Sequence, residues 1–241
     1  MHGLPRPGDP AREKAPGDWV TAADVASEQA ILEVLARRAP GVAVLAEEGG
    51  GDRAGTMWAV DPLDGTRNYT RGFPVVAVSV ALIEDGRPVA GVVLAPWLDV
   101  EFTAERGRGA FRNRERLVPG PPGELENALV ATGFPFRRKQ RAARYLAMFG
   151  GALARFEELR RAGAAALDLA WTGAGVFDGF FELGLNTWDV AAGALVVLEA
   201  GGVVTDWKGD PGGWLLGGDV LAGSPAVHSA LLELAAEAPE G

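Results

Sequence analysis

The chain has 241 residues and a formal net charge of −9, with 32 acidic against 23 basic side chains. It is long enough to bury a substantial core in one large or two compact domains. It has no cysteine, which removes disulfides, thiolate metal sites and cysteine nucleophiles together, and its only histidines, His2 and His228, argue against histidine-based hydrolysis and the usual zinc sites.

The acidic balance disfavours a nucleic-acid partner, because phosphate backbones are gripped by clustered Lys and Arg. The first 18 residues lack the apolar core of a signal peptide, and no later apolar run is long enough to cross a bilayer. A cytoplasmic protein with no membrane partner is expected.

After the Pro/Gly-rich start, the spacing of Ala22, Val25, Ala26, Ala30, Leu32 and Leu35 predicts a helix over 21–38 that Pro40 ends. A short apolar strand over 42–46 stops at Glu47, Glu48 and a glycine run. A second apolar piece, 57–60, leads directly into DPLDGTRNY at 61–69, so acids again follow a strand. Two β-rich stretches, 75–83 and 88–95, flank Asp85-Gly86, a hairpin signal, and strands over 100–104 and 109–111 extend the meander.

The run Pro119-Gly120-Pro121-Pro122-Gly123 reads as a linker, dividing the chain into domains 1–121 and 122–241. Beyond it come a strand over 128–132, helices over 140–156 and 167–176, a helix over 188–200 closed by Gly201-Gly202, strands over 203–206 and 220–223, and a last helix over 227–236. The basic cluster of Arg137, Arg138, Lys139, Arg141 and Arg144 reads as a solvated face. Meander followed by strand–helix alternation predicts sheets layered with helices.

The DPLDGT segment carries the chemistry. Asp61 and Asp64 flank Pro62, which restricts the backbone, while Gly65 allows a tight turn and a close ligand approach. Such a turn aims both carboxylates and the Leu63 carbonyl at one point, a set of hard oxygens suited to Mg²⁺. Thr66 then starts a short helix whose free amides, with that of Gly65, can receive phosphate oxygens. Read singly, each acid has a plainer role: Asp61 and Asp64 in a loop, Glu47 and Glu48 in solvent, Asp24 and Asp189 as helix caps.

Taken jointly, VTAAD (20–24), LAEEGG (45–50), WAVDPLDGTRNY (58–69), RRAGAAALDLAW (160–171) and WDVAAGALVVLEAGG (188–202) resemble the inositol monophosphatase family in order and spacing. The resemblance covers nearly the whole chain after residue 14. It implies a layered α-β-α-β-α sandwich of the inositol monophosphatase and fructose-1,6-bisphosphatase type, homodimerisation, dependence on two or three Mg²⁺ ions and sensitivity to lithium. It implies that Glu47, Asp61, the Leu63 carbonyl, Asp64 and Asp189 are metal ligands and that Thr66 and Glu47 orient the attacking water. Asp24 falls where the family places an acid of a third metal or of the water network. Glu48 falls just outside the ligand set.

Substrate contacts implied in the same way are Gly65, Thr66, Gly163, Ala164, Ala165, Glu182 and Asp189. Ala164 stands where the family carries a hydroxyl residue, and Asn186 where animal members often carry histidine, so affinity for inositol is expected to be reduced. The start of the chain is expected to lack the family's leading helix. The expected activity is Mg²⁺-dependent hydrolysis of a small polyol or sugar phosphate monoester by metal-activated water, with no phosphoenzyme. Histidinol phosphate, whose hydrolysing branch is resembled at Arg67 although the FPVVAVSVAL continuation (73–82) is more similar to inositol monophosphatases, fructose 1,6-bisphosphate and a nucleotide 3′-phosphate are the alternative substrates. A catalytically silent binding or regulatory protein is the non-enzymatic alternative.

Overall fold

Residues 11–15, 18–51, 55–118 and 125–239 are described by a computed structural model. A two-stranded antiparallel hairpin, β1 (Arg12–Ala15) and β2 (Asp18–Val20), precedes α1 (Ala22–Arg38). The pairing of Thr21 with Asp24 anticipates the entrance to α1. Thr21 Oγ1 accepts from the Ala23 amide while Asp24 accepts from the Thr21 amide, so two orphan donors are satisfied reciprocally.

β3 (Ala43–Ala46) runs parallel to β4 (Met57–Asp64), and α2 (Thr66–Arg71) follows. Here the structure departs from the sequence reading. β4 does not stop at Val60 but continues through the acids, with an irregularity in its pairing between Asp61 and Asp64. Pro62 has no amide to give to the ladder, and the irregularity absorbs it.

β5 (Ala77–Glu84) and β6 (Arg87–Ala95) form the expected hairpin, with Asp85 and Gly86 at φ 48° and 71°, the left-handed pair that a tight two-residue turn requires. β7 (Val100–Glu105), β8 (Gly109–Arg112) and β9 (Glu115–Arg116) complete a seven-stranded sheet in chain order. The linker proposed at 119–123 lies outside the described residues.

The second half supplies β10 (Leu129–Thr132), a 3₁₀ helix (Phe136–Arg141), α3 (Ala142–Arg155), β11 (Glu158–Arg160) and α4 (Ala165–Gly173). It continues with β12 (Gly179–Glu182), α5 (Thr187–Glu199), β13 (Val203–Thr205), α6 (Trp214–Gly217), β14 (Val220–Gly223) and α7 (Pro225–Glu237). Its five strands are ordered β11-β10-β12-β14-β13.

The layers follow from which faces are apolar. β12 carries Phe180 into a core shared with α4, α5 and the seven-stranded sheet, and the next residue, Phe181, into a core shared with α3 and α7. Period-two alternation on a sheet covered on both faces explains why both positions are aromatic. α4 and α5 are thus sandwiched between the sheets, α3 and α7 cover the far side, and α1 lies along β4. The result is a layered α-β-α-β-α sandwich. We propose the division at 121/122 as one of chain order, since α5 from the second half packs on β5 and β6 of the first.

Candidate active site

A cleft of about 580 Å³ opens where the end of β4, α2, the turn before α4 and the start of α5 come together. Its walls include Glu47, Asp61, Leu63, Asp64, Gly65, Thr66, Gly163, Ala164, Ala165, Glu182 and Asp189, so eleven of the twelve residues singled out from the sequence line one space. The twelfth, Asp24, is fully buried and reaches it through Thr66, whose Oγ1 donates toward Asp24 Oδ1 (3.0 Å) and the Leu63 carbonyl (3.1 Å).

The four carboxylates feel one another. Burial raises the Asp61 carboxyl well above its ordinary range, and Glu47, Asp64 and Asp189 push it further; the Leu63 amide opposes them. Asp64 is pushed up to about 7, first by burial and then by Asp189, against the Ala166 amide that donates to its Oδ2 at 2.7 Å. Like charges in a shared low-dielectric space disfavour simultaneous ionisation. Asp189, from a stretch more than a hundred residues away, is therefore close enough to act on the β4 acids.

Local structure explains each placement. Asp189 belongs to a capping box, its Oδ2 accepting from the Asn186 amide at 2.7 Å, and that bond fixes the carboxylate at the mouth of α5. Gly65 takes φ +87°, and a Cβ there would stand 2.8 Å from the Val75 carbonyl, so only glycine makes this turn. Asn68 joins the two halves of the cleft: its side-chain amide donates to the carbonyls of Val75 and Ala162. Ala164 is the N-cap of α4 and has no side-chain cap.

Among the described residues no group of three carboxylate or imidazole side chains is gathered tightly enough to hold an ion as oriented. The hydrogen bonds give the reason, since each acid has an oxygen turned to a protein donor. Glu47 shares the ammonium of Lys14 with Glu48, at 3.5 and 2.5 Å, and the other three bind backbone amides. The donor chemistry nonetheless fits a hard divalent cation, because every candidate ligand is an oxygen, and burial together with neighbouring carboxylates raises the Asp61 and Asp64 carboxyls, a strain that a cation would relieve.

Several contributors were not foreseen. Asn68, Arg161 and the fully buried Asp168 lie inside the motifs that carry the resemblance without a role of their own being legible there, and Lys14, Phe134 and Phe136 have no signature in local spacing. Asp168 stands on α4 behind the cleft, one oxygen without a partner, its carboxyl raised well above normal by burial and then by Asp64 and Glu182. The basic cluster is corrected too. Arg138 and Lys139 line the cleft, and Arg141 clamps Asp219 through two 2.5 Å bonds, so it is not merely a solvated face.

Fold and cleft together define a five-layer α/β protein with an acid-rich site at the junction of its two sheets. The sequence profile of the inositol monophosphatase family matches residues 8–240, and the chain belongs to that family. It is 46% identical over 227 residues to the Nus factor SuhB of Pseudomonas aeruginosa, covering 91% of this chain and 83% of that protein. It is 42% identical over 223 residues to an inositol-1-monophosphatase of Mesorhizobium japonicum, covering 91% and 84%. Among solved structures, the extragenic suppressor protein suhB of Bartonella henselae superposes with a TM-score of 0.88 at 39% identity, over 94% of this chain and 88% of that one. No helix among the described residues is long and apolar enough to cross a membrane.

Proposed function

We propose that the protein is a Mg²⁺-dependent phosphatase acting on a phosphate monoester of a small polyol or sugar. One observation carries this reading: Glu47, Asp61, Asp64 and Asp189 line the same cleft, where Glu47 and Asp189 help to raise the buried Asp61 and Asp64 carboxyls, beside the glycine turn of α2. Glu47, Asp61, Asp64, Asp189 and the Leu63 carbonyl would hold the ions. When bound, Mg²⁺ supplies charge neutralisation for a phosphate dianion and lowers the pKa of water.

The chain's own groups set the direction of attack. The single hydroxyl proton of Thr66 is directed to Asp24 or to the Leu63 carbonyl, so toward the cleft Thr66 Oγ1 can only accept. Glu47 is likewise an acceptor. A water whose two hydrogens point to these oxygens turns a lone pair toward phosphorus, which favours direct in-line displacement without a phosphoenzyme. Glu182 accepts hydroxyls of the leaving alcohol, and Ala164 offers its side chain no polar contact. Dimerisation belongs to the same reading, and sedimentation tests it.

Phosphate release from inositol 1-phosphate, histidinol phosphate, fructose 1,6-bisphosphate and a nucleoside 3′-phosphate, each with Mg²⁺ and with chelator, is the direct assay. Turnover that needs the metal and transfers ¹⁸O from labelled water to phosphate is expected. A trapped phosphorylated side chain would refute the mechanism. A second reading follows from the relatives named Nus factor: a binding role independent of turnover. Absence of hydrolysis across the panel would favour it, and salt-sensitive binding to oligonucleotides would overturn the expectation of no nucleic-acid partner.

A further inference from the structure

Besides its acids and glycine turns, the cleft is walled by two irregular segments, 133–139 and 183–185. The first enters a 3₁₀ helix that has no side-chain cap and in which Arg138 leaves the helical region (φ −133°, ψ 49°), so its own hydrogen bonds fix its course poorly. Its start is held where Phe134 and Phe136 lie under the Arg161 guanidinium, at 5.5 and 5.6 Å. Its end is held by Arg141, whose Nη1 and Nη2 donate to Asp219 Oδ1 and Oδ2, each at 2.5 Å. A bidentate pair fixes orientation as well as distance, and this one is shielded, with 24% and 21% of the two side chains exposed.

Asp219 also reaches the second segment. Its Oδ1 accepts from the Gly184 amide at 3.1 Å, and the Leu185 amide donates to the neighbouring Gly218 carbonyl at 2.8 Å. A Cβ at Gly218 would overlap the Leu185 carbonyl, so the turn before β14 is pressed against 184–185 at a distance that only glycine permits. Gly184 in turn lies against the Arg138 stem, with 2.7 Å between Arg138 Cγ and a Cβ built there. The next amide, that of Asn186, goes to Asp189 instead, so the end of the loop that carries the candidate ligand has its own anchor.

One carboxylate and one guanidinium thus link the two irregular walls. Resting on the phosphatase reading, we infer that Arg141 and Asp219 are positioning residues that set the spacing of these walls, and through it the affinity for the leaving alcohol of the substrate. Neither side chain lines the cleft, so each acts through the segments it holds. The acids and the phosphate turn sit on β4, α2 and α5, to which the pair makes no hydrogen bond, so its effect belongs to KM and not to kcat.

The test compares inositol 1-phosphate, or the panel member that turns over best, with inorganic phosphate as a competitive inhibitor that has no alcohol to place. Asp219→Ala should raise KM for the substrate about tenfold while kcat and the inhibition constant of phosphate stay within about twofold. Arg141→Gln should have a smaller effect of the same kind, and Arg141→Lys should recover part of it. The double variant should lose no more than Asp219→Ala alone, because the two side chains act as a unit. KM does not depend on the folded fraction, so lost stability alone does not imitate this pattern. Equal effects on substrate and phosphate, an unchanged KM, or additive effects overturn the positioning role and leave the phosphatase reading standing.

A protein that hydrolyses no member of the panel sinks the phosphatase reading, and calorimetry of inositol 1-phosphate and inorganic phosphate with Mg²⁺ then takes the place of KM. Inositol 1-phosphate binding that weakens about tenfold in Asp219→Ala, with phosphate binding unmoved, keeps the role of the pair. Equal affinities in wild type and variant, or binding of neither ligand, overturn it.

Discussion

Two of the site acids do two jobs, and a carboxylate's two oxygens make that possible. Asp24 caps α1 with Oδ2 and accepts from Thr66 with Oδ1; Asp189 caps α5 with Oδ2 and faces the cleft acids. Asp64→Asn removes one charge from a site where Asp64 is already pushed up to about 7. We expect turnover to fall at least a thousandfold, by loss of a metal ligand, while the metal-free protein melts at the same or a higher temperature; near-normal activity in folded protein would contradict the assignment. Ala164→Ser gives the converse case. A serine at this uncapped N-cap should stabilise α4 by about 1 kcal/mol and lower KM for inositol 1-phosphate. A raised melting temperature with unchanged KM would remove position 164 from substrate binding. Sequence alone offered capping and ligation as rivals for Asp24 and Asp189, since it cannot say where the second oxygen points. Lys14 over Glu47 and Arg161 over two phenylalanines were illegible for a different reason: such contacts link distant positions and leave no period.

Elements that obey a local rule were legible. The Asp-Gly turn between β5 and β6, the Thr21 cap and the Gly201 stop all appear where the residues predict them. β11 and β12, at three and four residues, are set by long-range pairing in the second sheet that no short window contains, β12 buried at its centre and β11 exposed at its edge. The β1–β2 hairpin is likewise set by pairing and not by pattern. What positions the site most tightly is the contact between α4 and α5. A Cβ at Gly193 would stand 2.6 Å from Leu169 Cβ and 2.7 Å from the Ala166 carbonyl, and one at Gly173 would stand 2.9 Å from Val196. One helix carries Ala166, whose amide holds Asp64, and the other carries Asp189, so this approach sets how near Asp64 lies to Asp189. Gly193→Ala should therefore destabilise by about 1–3 kcal/mol in denaturant melts and weaken Mg²⁺ affinity as well. Lost stability with unaltered metal affinity would show that the contact serves packing alone.

At the scale of the whole molecule, pH acts on stability in two opposite senses. His228 is buried against Thr205, and burial lowers its pKa below 6.5, so the stability it contributes is present above that value and lost as pH falls. Asp64 runs the other way. Its folded pKa, about 7, lies above that of an ordinary aspartate, so its contribution is fully present below about 4 and disappears as pH rises toward 7. Above that range the metal-free protein must hold ionised carboxylates together in one cleft. Divalent binding requires the same carboxylates ionised, so its linkage to stability has the opposite pH dependence. With Mg²⁺ at a hundredfold excess over its dissociation constant, mass action alone adds about 2.7 kcal/mol. The gap between melting temperatures in Mg²⁺ and in chelator should thus be small at pH 5, widen through pH 7 and level off above pH 8. Asp64→Asn should reduce this pH dependence, because one of the two raised carboxyls whose ionisation couples metal to fold is gone and the other, Asp61, loses a neighbouring charge. A gap independent of pH in the wild type would mean that these acids are not where the ions bind.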